Sequence, residues 1–98
     1  MSSRRIAILD AHPDPDPGHF VHALARTYAD AAEAAGHSVV TLEVATIDFP
    51  LVRRPDDWLH GEAPPAIARA QSDIEWADHL VIVFPLWLGD MPALLKGF

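Results

Sequence analysis

Apolar residues fall along this chain in short unbroken runs that alternate with longer stretches of three- and four-residue periodicity. Arg5 to Leu9 is a continuous run of the kind buried on both faces of a parallel sheet. A proline-rich loop follows, and then Phe20, Leu24, Tyr28, Ala31 and Ala35 recur at helical spacing, which predicts one apolar stripe. Gly36 stands just past the last periodic residue, where a left-handed C′ position favours glycine. Ser38 to Val44 is rich in β-branched residues and predicts a second strand. Ala45 to Glu62 has no clear period and reads as a long loop of the kind that is often functional. Pro64 and Pro65 suit the first turn of a helix whose apolar face is Ile67, Ala70, Ile74 and Ala77. His79 to Phe84 predicts a third buried strand, and Pro85 to Asp90 a loop. Asp90 is placed to N-cap a last helix from about Met91, with Pro92 in its first turn.

Strand, helix, strand, helix, strand, helix is the order of an α/β fold. Such alternation predicts a doubly wound parallel sheet with right-handed crossovers. Three strands alone would leave an apolar edge open, which natural proteins avoid. The expectation is therefore that residues 1–98 are the N-terminal part of one larger domain, truncated within the helix after strand three.

Composition narrows the function classes. The 98 residues are 50% hydrophobic and 21% charged, a globular balance. The formal charge of −7, with seven Lys and Arg, argues against nucleic acid and anionic membrane, both of which demand a basic face. No cysteine is present, so disulfides, thiolate zinc sites and cysteine nucleophiles are excluded. No apolar run approaches the length of a membrane span. The Arg4-Arg5 start before Ile6–Leu9 is too short for a leader and is broken by Asp10, so the chain is read as cytoplasmic.

Two stretches carry candidate chemistry. Residues 85–98 read PLWLGDMPALLKGF, and residues 11–22 read AHPDPDPGHFVH. Pro85, Leu86, Trp87 and Gly89, followed by Pro92 to Phe98, resemble the flavodoxin-like NAD(P)H:quinone oxidoreductases, the quinone reductase and modulator-of-drug-activity group. Support runs through the chain in order: a His ending the first strand, then Phe20-x-His22-Ala23-Leu24, Ala35-Gly36-His37 and Trp76-Ala77-Asp78. The resemblance implies a flavodoxin-like fold with a flavin at the carboxyl ends of strands one and three, where strand order switches. It implies that Pro85, Leu86, Trp87, Leu88 and Gly89 contact the isoalloxazine, although relatives often carry an aromatic residue at the Leu88 position. His12, His19, Phe20 and Val21 would line the phosphate and ribityl region at a helix N-terminus, where many relatives have Ser and Asn in place of His19 and Val21. FAD is implied rather than FMN, with NAD(P)H as co-substrate, a quinone-like acceptor and a homodimer. No catalytic residue is assigned.

Two other readings compete. Ala11-His12-Pro13-Asp14 resembles the opening of zinc-dependent N-acetylglucosaminyl deacetylases, but Pro15 separates Asp14 from Asp16 and no later His-x-x-His supplies a further ligand. The chain is alternatively a non-enzymatic remnant that binds flavin weakly. Each Asp before a proline is pushed toward extended backbone, which makes residues 13–17 a stiff arm rather than a ligand cage. Asp14 and Asp16 are expected to face solvent. His22 is expected to be a packing or surface residue, and His37, His60 and His79 to be structural or solvated.

Overall fold

The computed structural model describes residues 3–98. Three parallel strands, β1 (Arg5–Asp10), β2 (Ser38–Glu43) and β3 (His79–Val83), lie in the order β2-β1-β3. Arg5 to Asp10 pair with Ser38 to Glu43 on one side, and Ile6 to Asp10 with His79 to Val83 on the other. β1 is thus the central strand, which explains why Ile6 to Leu9 is apolar without alternation and fully buried.

Side chains of β1 alternate between two layers of core. Ile6 and Ile8 pack with Ala25 and Ala32 of helix α1 (Phe20–Ala34), joined by Val39, Val81 and Val83. Ala7, Leu9 and Ala11 face the opposite layer, with Leu42, Val44, Ala70 and Leu95. Ala70 comes from α3 (Pro65–Trp76) and Leu95 from α4 (Ala93–Gly97). Between β2 and α3 the chain forms a 3-10 turn (Val44–Thr46) and a short exposed helix, α2 (Pro55–Leu59), so the expected loop holds local structure of its own.

Four expectations are corrected. The inward face of α1 is Val21, His22, Ala25 and Ala32, not the stripe through Phe20, Leu24 and Tyr28, which is exposed. Alanines let the helix approach the sheet closely, and the larger side chains one step around the helix are left outside. β3 is not buried on both faces: Val81 and Val83 pack inward, while Leu80 and Ile82 are 44% and 47% exposed at the uncovered edge of the sheet. β2 ends at Glu43, because Val44 already turns into the 3-10 element. The last helix begins at Ala93, and Asp90 does not cap it. Gly36 does adopt the expected left-handed conformation, at φ 92°. His37 N–H donates to Ala32 O at 3.0 Å and Gly36 N–H to Glu33 O at 2.9 Å, a Schellman closure of α1.

Candidate functional site

Two loops leave the carboxyl ends of β1 and β3 side by side. Ala11 N–H donates to Val83 O at 2.9 Å, which fastens the first loop to the end of β3. The arm bends at residues 13–14 and turns at residues 17–18; its prolines limit the backbone, and two side-chain turns stiffen it further. Asp16 N–H donates to Asp14 Oδ1 at 3.1 Å, and Gly18 N–H to Asp16 Oδ1 at 3.0 Å. Both carboxylates are exposed, as expected.

Asp14 organises three histidines through three different groups. Its N–H donates to His12 Nδ1 at 3.0 Å, its carboxylate accepts from His19 Nε2–H at 2.9 Å, and its carbonyl accepts from His22 Nε2–H at 2.7 Å. Because His12 Nδ1 accepts, its neutral ring carries the proton on Nε2. Burial, then the charges of His19 and His22, hold the His12 pKa below the ordinary histidine range against the pull of Asp14 and Asp10. His12 therefore presents an Nε2–H donor at the end of β1. The hydrogen bond from His19, and then the Asp16 amide, hold the Asp14 carboxyl below the usual carboxylate range.

His12 also joins the two loops. Its ring stacks on His19 at 3.9 Å between centroids and meets Trp87 edge-on at 5.4 Å. Trp87 opens a tight hairpin turn: its N–H donates to Asp90 O at 2.9 Å, and Asp90 N–H donates back to Trp87 O at 3.0 Å. Leu88 and Gly89 complete the turn at φ 51° and 79°, both in the left-handed region. The amides of Leu86, Leu88 and Gly89 have no partner among the described residues. Asp90 accepts from Met91 N–H at 2.7 Å and from Lys96 Nζ at 3.1 Å, and these donors, in that order, depress its pKa.

A family model described as a flavodoxin-like fold matches residues 4–98. The chain belongs to that family. This flavodoxin-like chain is 28% identical over 113 residues to the ribosyldihydronicotinamide dehydrogenase-like protein traD of Penicillium crustosum, covering 96% of itself and 42% of that protein. It is 32% identical over 107 residues to the uncharacterized NAD(P)H oxidoreductase YcaK of Escherichia coli strain K12, covering 100% of itself and 52% of that protein. It therefore spans about half the length of the curated relatives it matches. The NAD(P)H:quinone oxidoreductase from Methanothermobacter marburgensis has the same fold over 98% of this chain and 51% of its own, with a TM-score of 0.78 at 24% identity.

Of the positions singled out in the flavodoxin-like sequence, the structure brings His12, His19 and Trp87 together. Val21 turns inward at 8% exposure, so its side chain belongs to the packed face of α1. Pro85 is half-buried, whereas Phe20, Leu86 and Leu88 stand out from the surface. The zinc reading finds no support: among the described residues no group of three or more His, Cys, Asp or Glu side chains is arranged to hold a metal ion.

The sequence reading missed Asp10 and His22 as a pair. Both are buried, and His22 Nδ1 lies 2.8 and 2.7 Å from the two Asp10 carboxylate oxygens. The signal was present: a carboxylate ending a strand buried on both faces requires a partner. His22, in the first turn of the following helix, is where that partner is found.

Proposed function

We propose that the chain contributes half of the flavin site of a flavin-dependent NAD(P)H:quinone oxidoreductase, with FAD as the cofactor and a homodimer as the working assembly. The observation that carries this reading is the contact of His12 with Trp87, which sets two ligand-facing loops against each other at the switch point of strand order. The donors present fit a flavin. The unpartnered amides of Leu86, Leu88 and Gly89 suit the polar rim of the ring, and exposed Trp87 offers an aromatic wall. The first-turn amides of α1 (residues 20–22) and the helix dipole favour phosphate, and His12 Nε2–H adds a neutral donor beside them.

When bound, the flavin supplies the two-electron hydride relay between NAD(P)H and the acceptor. The chain's own residues bind it, orient it and hold water away from one side. Asp14 and Asp16 point outward and are kept from opposing a phosphate, since the Asp14 carboxylate is already engaged by His19.

The test is the visible spectrum and metal content of the purified protein, with FAD and FMN separated after release. Flavin absorbance with stoichiometric FAD supports the reading. Stoichiometric zinc without flavin, or no affinity for added flavin, overturns it.

A further inference from the structure

We propose that Asp10 and His22 form a buried ion pair that clamps the proline arm onto α1 and so positions His12 and His19, a role toward the flavin that rests on the reading above.

The hydrogen-bond geometry leaves little choice. His22 Nε2 lies 2.7 Å from Asp14 O, and a carbonyl oxygen only accepts, so Nε2 carries a proton. Nδ1 lies 2.8 and 2.7 Å from the Asp10 oxygens, so a second proton sits between that nitrogen and the carboxylate. Histidine is by far the more basic partner, which places this proton on the ring and makes the pair imidazolium and carboxylate. The side chains are 8% and 4% exposed, where two opposite charges bonded to each other persist and an unpaired one is costly.

The same geometry excludes a relay of the hydrolase kind, in which carboxylate-bound histidine offers its second nitrogen as a base. Here that nitrogen is occupied by the arm. Clamping follows from what Asp14 holds: the residue whose carbonyl His22 grips is the one whose amide fixes the His12 tautomer and whose carboxylate bonds His19.

Other charged groups facing His22 come from three elements. Arg26 on α1 and Glu43 on β2 line a cleft with the pair, and His12 and His19 rings lie 5.4 and 5.9 Å away on the arm side. Burial pulls the His22 pKa down, but the bonds to Asp10 and the Asp14 carbonyl, with the charges of Asp10 and Glu43, outweigh it and raise the value above the ordinary histidine range. A raised folded pKa means that the clamp is complete below the unfolded histidine pKa and is lost as pH rises through the folded one. On deprotonation the remaining proton stays beside the carboxylate. The Nε2 lone pair then faces the Asp14 carbonyl, and the arm is released.

Histidine nitrogen NMR on the protein without flavin tests the clamp directly. The expected result is two protonated ring nitrogens on His22 at about pH 7, a midpoint above ordinary histidine, and Asp14 and Asp16 amide shifts that follow the same midpoint. A singly protonated His22 at that pH, or arm amides that ignore its titration, overturns the clamp. The link to the cofactor is tested with FAD itself. Affinity should fall roughly tenfold as pH rises through the His22 midpoint, and Asp10→Asn should show the weak affinity already at low pH with little further change. An Asp10→Asn protein that matches the native affinity and pH profile overturns that link. FAD binding at no pH, with the NMR result intact, sinks the flavin reading and leaves the clamp standing.

Discussion

Trp87 meets His12 edge to face, with the ring planes 88° apart and the centroids 5.4 Å apart, and this contact closes the gap between the loops that follow β1 and β3. Replacing Trp87 by Ala removes both the wall and the contact. Flavin affinity should drop roughly tenfold, the value of one aromatic pair beyond simple burial, while Trp87→Phe retains most of it. Bound-flavin stoichiometry after gel filtration measures both, and unchanged flavin content in the Ala variant would count against this placement of the loop.

The turn beside Trp87 carries backbone strain at one position. Leu88 is fully exposed at φ 51°, a conformation that costs a non-glycine residue about 1 kcal/mol, and nothing packs against it in return. Leu88→Asn, which produces the Asn-Gly pair favoured by such turns, should raise stability by about 0.5–1 kcal/mol. Gly89→Ala should lower it by about 1–2 kcal/mol, because φ 79° is strained for alanine although the space around it is open. Thermal denaturation of the two variants should move in opposite directions.

On α1 the residues that pack against Ile6 and Ile8 are small ones, Ala25 and Ala32. Ala25→Leu forces extra volume between the helix and Ile8 and should cost about 1–3 kcal/mol, whereas Leu24→Gln on the exposed side should cost less than about 1 kcal/mol. Denaturant midpoints decide it; the reverse order would restore the Phe20-Leu24-Tyr28 stripe as the packing face.

Asp90 gives a dependence on acid of the opposite sign to that of His22. Its carboxyl is depressed by the Met91 amide and then Lys96, so its contribution is present above the ordinary aspartate pKa and disappears as pH falls through the lower folded value. The Met91 amide resonance should shift only in that acid range, and Asp90→Ala should abolish the shift.

The architecture was legible because parallel strands buried on both faces carry unbroken apolar runs, and the Ile6–Leu9 run shows this most clearly. Gly36 marked the end of α1 for a similar reason, since one backbone angle demands it. Periodicity failed where size and burial part company: it pointed to the bulky side of α1, whereas alanines make the contact with the sheet. It also overstated β3, because an apolar run does not reveal whether neighbours cover it. That the loops after β1 and β3 lie side by side was legible from the strand alternation, and His12 and Trp87 do meet there. The Asp14 network was not, since three histidines on a proline arm look the same in sequence whether they converge on a metal or on one aspartate.

The middle place of β1 has a kinetic consequence. Arg5 pairs with Ser38 and Ile6 with His79, so each ladder closes only after a long excursion of chain, and no two strands can zip together as a local hairpin. Closing such loops must precede any gain from the sheet, which makes this a slow-folding topology for its size. During synthesis β1 emerges ahead of both its partners, a six-residue strand whose two neighbours are still to come.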